Sequence, residues 1–534
     1  MKVEGGLVDD APVGRRGGWA GSFPWRRFAW PAVHVLLMAA ALSPLFVSVA
    51  PALNDYPQHL ARLAAEARYA HDADLQRYYT VDWGLRPNVN LAVDLLVAPL
   101  IGPLSPWVAG RLFLVATLLL MAGGTWQLSR RLNMGQAGSP WAGSPWYAGL
   151  LLYPMLYNTV FLDGIINLAF GMALALWMLV FWLGARTWPL LWRLPVLALG
   201  GLAVMLAHAV AFAVLFAMVF WLEVGLRLRW GRDPAYPSRG GRDWGELAVL
   251  ALGPLALALL AGGREILPNP YTEWPSPHSM IDVVKAPLAL LVASPWAAGV
   301  LLVVVVGLIL ARRVSVAPAI RLPVLVLGPL SLLVPPVIQA VAQMHIRLPV
   351  MIALVLLAGC RVRLAPRERL PVLGAAALAV LGLFAVVTTE WRGCGRAVDD
   401  LLAAIPDDWR GSRVLPILQA DHQGRGVGAS CHRATAVWHW TGLTVVTHST
   451  LDPLTFISMS LQFRPEYAFS DLVSWPVGTS ELPASQGKWW DGWRQRFDHV
   501  LFLHPDGPAP APAPGLVLVH QGPMADLYTI DREP

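Results

Sequence analysis

Apolar residues run through this chain in long blocks separated by short polar clusters. Such blocks predict helices that cross a hydrocarbon core of about 30 Å, for which roughly 17 to 25 residues suffice. Six blocks meet that length cleanly: 31–50, 107–128, 165–183, 287–311, 322–342 and 370–388. Shorter runs at 146–162, 247–261 and 346–360 are read as spans too. The apolar stretch 194–226 would reach about 50 Å as one helix, and basic residues flank both its ends, so it reads as two spans turning near His208. The run 91–104 is interrupted by Pro99, Gly102 and Pro103 and is taken as juxtamembrane or re-entrant. Arginines then fall on alternate loops, as the positive-inside rule asks: Arg15, Arg16, Arg26 and Arg27; Arg130 and Arg131; Arg186 and Arg193; Arg227 to Arg242; Arg312 to Arg321; and Arg361 to Arg369. The expectation is a polytopic α-helical membrane protein of about eleven spans. It has a cytoplasmic N-terminal tail (1–30), a transmembrane region (31–389) with a large first external loop (51–90), and an extracytoplasmic α/β C-terminal domain (390–534).

Composition agrees with that class. Apolar residues make up 56% of the chain and charged ones 14%, against about a quarter charged in soluble domains, and the mean hydropathy is +0.52. The net charge of +6 lies in clusters between apolar blocks rather than in one basic stripe, which argues against a nucleic-acid partner. The partner it implies is the lipid bilayer. Cys394 and Cys431 fall on the oxidising side, where a disulfide is permitted; their spacing does not decide it.

The outward-facing pieces carry the candidate chemistry. Residues 56–69 space Leu60, Leu63, Ala64 and Ala67 against Arg62, Glu66 and Arg68, which predicts an amphipathic helix lying in the interface. The turn 161–164 holds Asp163, and the loop 262–286, rich in proline and aromatics, suits a cover over a cavity mouth. In the tail, 397–405 reads as a helix and 413–418, 499–503 and 515–520 as strands, while Asp421, His422, His432 and His439 lack zinc-ligand spacing.

The phrase Asn54-Asp55-Tyr56-Pro57-Gln58-His59-Leu60-Ala61-Arg62 follows the first span at once, and Asp163 supplies a second external acid. With many further spans and an external tail, this resembles the GT-C superfamily of integral membrane glycosyltransferases. The resemblance implies a polyprenyl-phosphate sugar as donor, a glycan, lipid or protein acceptor on the outer face, and base or metal-ligand duty for Asp55, with Asp163 as the second acid. Asn54 stands where better-known members pair a second acid, so no cofactor is assigned and a divalent metal is left open. Glycosyl transfer needs a base for the acceptor hydroxyl and a cation for the departing phosphate. Asp55 fits the first need; Arg347 fits the second, with Arg62 as another candidate, and His59, His208 and His345 as further binding residues.

Each residue also has a plainer role. Asp55 could cap the helix behind it, Asp163 could serve as a turn residue, and His208 could be a core histidine. His59 and Arg62 could solvate a polar face, and Arg347 could snorkel to the interface. The enzyme reading requires an outward cavity holding Asp55 and Arg347 together. Its competitors are a non-catalytic assembly partner or receptor of the same fold, and a transporter of lipid-linked glycans.

Overall fold

The computed structural model describes residues 26–82, 90–133, 147–228, 233, 235–261, 272–338, 343–418, 431, 437, 439–457, 460–468, 492–504 and 515–532. The chain begins with α1 (Arg26–Leu42), extended by one 3-10 turn to Phe46. The first loop folds into α2 (Tyr56–Arg68), α3 (Ala73–Tyr78), the strand β1 (Tyr79–Val81) and the short α4 (Ala92–Val97), then enters the long α5 (Pro106–Asn133). At six residues α4 is far too short to cross a bilayer. The block 146–162 is a broken pair, α6 (Leu152–Leu156) and α7 (Thr159–Leu162), because the Asn158 side chain accepts from Phe161 N and starts a second helix.

Next come α8 (Ile166–Gly184), α9 (Leu190–Ala207), α10 (Ala209–Arg227) and α11 (Gly241–Ala261). A single extended residue, His208, separates α9 from α10; its Nδ1 accepts from Val210 N at 3.1 Å and so caps α10. Then follow α12 (Pro277–Lys285), α13 (Pro295–Leu310), β2 (Val314–Val316), α14 (Pro318–Ser331), α15 (Met344–Gly359), β3 (Cys360–Val362) and α16 (Pro366–Ala404).

Three predicted boundaries change. The span 287–311 is split at Ser294, with a 3-10 segment before it and Pro295 opening α13. The span 322–342 is helical only to Ser331, ahead of Pro335 and Pro336. The separate helix expected at 397–405 is the continuation of α16, whose 39 residues reach about 58 Å, well beyond a hydrocarbon core.

Among the described residues six helices are long and apolar enough to cross a membrane: α5, α8, α9, α10, α11 and α16. Shorter apolar helices occupy Trp30–Phe46, Gly149–Leu162, Pro295–Leu310, Pro318–Ser331 and Met344–Gly359. The arginines of the loops meet at one end of this bundle. Arg186 reaches Glu223 at 2.6 Å and Asp243 at 3.2 Å, Arg193 reaches Glu246 at 2.8 Å, and Arg227 and Arg239 join the same acids. At the same end Arg361 donates to Asn133 Oδ1, Arg313 pairs with Glu368, and β2 and β3 form an antiparallel ribbon. This network ties the last turns of α8 and α10 to the first turns of α9 and α11, so α9 and α10 form an antiparallel hairpin with His208 at the far end.

The tail supplies β4 (Val414–Leu418), α17 (Gly442–His448), β5 (Leu461–Phe463), β6 (His499–Leu503), β7 (Leu516–Gln521) and β8 (Ala525–Ile530). Four strands form one sheet in the order β4-β6-β8-β7, with β4 parallel to β6 and the other pairs antiparallel. Its outermost pair, β7–β8, includes a strand the sequence pattern had not flagged. Cys394, inside α16, is disulfide-bonded to Cys431.

The tail also covers the first loop. Strand β5 pairs antiparallel with β1, Gln58 Nε2 donates to Asp452 Oδ2 at 2.6 Å, and Arg68 Nη2 donates to the Val445 carbonyl at 2.9 Å. Every residue of α2 from Tyr56 to Glu66 is buried. The predicted helix is present, yet it does not lie in the interface: α17 covers its polar side, and that polarity serves contacts within the protein instead of a headgroup layer.

Candidate active site

The loops that hold Asp55 and Asp163 are joined through their backbones. Asn54 N donates to the Leu162 carbonyl at 3.1 Å and Asp55 N to the Asp163 carbonyl at 3.0 Å. Gly164 permits the approach. It has φ +74°, and a Cβ there would lie 2.6 Å from Asp55 N and 2.7 Å from Tyr56 N. The two acids proposed from the sequence are therefore brought side by side by main-chain contacts. Asp55 stands at the N-cap position of α2 but its side chain makes no capping hydrogen bond, so the plain capping role does not account for it. Its carboxylate is partly exposed and lies 3.4 Å from His439 Nε2.

Asp163 Oδ2 accepts from Gln343 Nε2 at 3.0 Å. Gln343 sits in the left-handed region (φ +60°) directly before α15, and one turn later Arg347 Nε donates back to its carbonyl at 3.3 Å. Arg347 Nη1 also lies 3.3 Å from His208 Nε2. Because His208 Nδ1 accepts the Val210 amide, a neutral ring carries its proton on Nε2. Arg347 N–H and His208 N–H then point at one another, two donors sharing a space that an oxyanion would satisfy.

The remaining predicted binding residues are placed differently. His59 is buried, its ring edge-on to Phe456 at 5.1 Å with His439 on the same ring at 5.4 Å, and its Nδ1 has no hydrogen-bond partner among the described residues. Burial, then the charges of Arg62 and His439, hold its imidazole well below the usual histidine range, so it is neutral. Arg62 is committed to a buried ion pair with Asp94 at 2.8 Å. His345 Nε2 is 4.0 Å from Asp282 Oδ2.

Beside the Arg62–Asp94 pair, Glu66 accepts from Ser460 Oγ at 2.6 Å. Burial, reinforced by the neighbouring Asp94 charge, raises its pKa to about 8. A carboxyl whose folded pKa lies above its unfolded value stabilises most at low pH, and that stability is lost as pH climbs from the unfolded value toward 8. Glu66→Gln, which stays neutral, is therefore expected to melt above wild type at pH 8.5 and level with it near pH 5. Thermal melts at the two pH values check the crossover; a lower Tm for the variant at pH 8.5 contradicts it.

A cavity of about 410 Å³ opens next to these groups, lined by Thr159, Asp163, Asp282, Lys285, Gln343 and His345 among others. The helix α12, from the loop read as a cover, supplies Asp282 and Lys285; Pro268, Pro270 and Tyr271 of that loop lie outside the described residues. Asp55 and Arg347 do not line this cavity. Asp163 and Gln343 tie them to its wall: the Asp163 carbonyl accepts from Asp55 N, and the Gln343 carbonyl accepts from Arg347 Nε. No group of three His, Cys, Asp or Glu side chains suited to a metal ion occurs among the described residues. Asp55 and His439 adjoin at 3.4 Å, with no third such side chain grouped with them among the described residues.

Gln343, Asp282 and Lys285 were not singled out in the sequence, and His439 was named only among tail residues without zinc-ligand spacing. Gln343 left one signal, a polar residue opening the apolar block that carries His345 and Arg347. His439 left none, since 384 positions separate it from Asp55 and only the folding of the tail over α2 brings them together.

Fold and site together define a polytopic helical membrane protein with a polar centre at the bundle end opposite its arginine network. No family model and no curated protein matches the chain. Among solved structures it is similar to two crystal structures of ArnT from Cupriavidus metallidurans. The first, bound to undecaprenyl phosphate, shares 14% identity at a TM-score of 0.49 over 94% of this chain and 98% of that one. The second, in the apo state, shares 15% at 0.48 over 94% and 97%. At that identity and overlap no residue role is carried across.

Proposed function

We propose that this protein is a membrane glycosyltransferase that moves a sugar from a polyprenyl-phosphate carrier to an acceptor on the outer face of the bacterial inner membrane. The observation that carries the proposal is the Asp55–Asp163 main-chain junction, with Gln343 joining Asp163 to Arg347. Asp55 takes the proton of the acceptor hydroxyl. The acceptor oxygen attacks the anomeric carbon, the bond from that carbon to the phosphate oxygen breaks, and polyprenyl phosphate leaves with the electron pair. Arg347 and the Nε2–H of His208 receive the phosphate oxygens, which resolves the donor-to-donor contact between them. Asp163, fixed by Gln343, anchors the Asp55 backbone, and His439 steadies its carboxylate. The arginine network at the opposite end of the bundle supports an outward-facing site, since arginines favour the cytoplasmic side. No step is routed through a metal.

The test of the phosphate assignment is donor affinity. Losing one charge-assisted hydrogen bond of about 1.5–3 kcal/mol should raise KM for the lipid donor roughly ten- to a hundredfold in Arg347→Gln, with partial recovery in Arg347→Lys. An unchanged KM removes Arg347 from the donor site.

A further inference from the structure

At the end of the bundle away from Asp55, a second cavity of about 440 Å³ opens between α5, α8 and the segment before α11. Arg130, Arg131, Arg186 and Arg239 face it, with Leu183 and Tyr236. Arg186 and Arg239 are held rigidly by Glu223, Asp243 and Glu246. Those three carboxylates meet five arginines (Arg186, Arg193, Arg227, Arg239 and Arg242), so the network alone keeps a surplus of two positive charges. Arg131 adds to it: its exposed guanidinium lies against the bare Cα of Gly184, and no carboxylate among the described residues lies within 4.0 Å of it. Tyr236 donates to the Arg131 carbonyl at 2.6 Å and fixes the wall of the cavity to the end of α5.

The surroundings say what kind of anion reaches this place. Trp126 stacks under Arg130 at 5.0 Å, and Trp188 is half exposed at the turn from α8 to α9, where aromatic residues mark headgroup depth. Just beyond it Leu191 and Trp192 are 76% and 66% exposed, an apolar surface that acyl chains would cover.

We propose that this pocket binds the headgroup of an anionic phospholipid of the cytoplasmic leaflet, its phosphate among the four guanidinium groups and its chains along the α8–α9 turn. Basic pockets between membrane helices on that side suit such headgroups. The site shares no residue with the Asp55 centre and does not depend on the reading of that centre.

Native mass spectrometry of the full chain, released from nanodiscs and titrated with phosphatidylglycerol, phosphatidylcholine or inorganic phosphate, tests this. Wild type should retain phosphatidylglycerol in preference to the other two. The double variant Arg130→Gln/Arg131→Gln should bind it about thirtyfold more weakly, the effect of two guanidinium groups at a membrane surface. Gly184→Leu, which keeps every charge but displaces the Arg131 guanidinium, should weaken it as well. Equal retention of phosphatidylglycerol and phosphatidylcholine by wild type overturns the proposal. So does protection by inorganic phosphate as strong as that by the lipid, or a folded double variant that binds like wild type.

Discussion

Asp55→Asn is expected to lower the transfer rate by about 10²- to 10⁴-fold, the usual contribution of a positioned general base, while the protein remains folded. The structural duties of Asp55 lie in its backbone: the amide donates to Asp163 and the carbonyl accepts from His59 N at 3.1 Å. Its side chain caps nothing, and an amide of the same shape preserves the main-chain junction. The variant removes the negative charge beside His439 and little else. Initial rates at saturating donor, read alongside circular dichroism and Tm, separate loss of chemistry from loss of fold. Turnover within about twofold of wild type, well inside the range of a base effect, would remove Asp55 from that role.

Gly164→Ala should cost both stability and activity. A left-handed conformation costs a residue with a Cβ about 1–2 kcal/mol, and here the added carbon would also press on Asp55 N and Tyr56 N at 2.6 and 2.7 Å. Neither neighbour is a flexible side-chain tip; both are backbone at the start of the buried α2. Relief requires the two loops to part, and displacing a catalytic group by about 1 Å can cost a hundredfold in rate. A lowered Tm together with a comparable loss of kcat supports the junction as the positioning device. Wild-type kcat in a destabilised variant would mean that the loops place Asp55 by other contacts.

Much of this was readable from the chain because lipid imposes simple rules. The break at His208 followed from length alone, since a helix over 194–226 would overshoot a bilayer, and His208 is the extended residue between α9 and α10. The gathering of arginines at one end followed from their alternation between loops. Asp55 and Asp163 were visible as external acids, but their contact was not, because it runs through main-chain atoms and a glycine at positive φ. The fate of α2 was misread for a related reason. Its polar face predicted a wet or lipid-facing surface, and no local pattern announces that Asp452 and Ser460, nearly 400 residues away, supply its partners. Arg62 shows the same limit: charge type suggested a phosphate ligand, whereas Asp94 takes it internally. The broken spans at 146–162, 287–311 and 322–342 show that apolar composition marks a stretch as membrane-crossing, while capping side chains and prolines decide where a helix stops.

The most direct measurement of the central claim is incubation of the purified wild-type protein with a panel of radiolabelled polyprenyl-phosphate sugars and candidate acceptors. Label should leave at least one carrier with release of free polyprenyl phosphate; label that stays on every carrier, with acceptor present and the protein folded, would contradict a donor site built around Asp55 and Arg347.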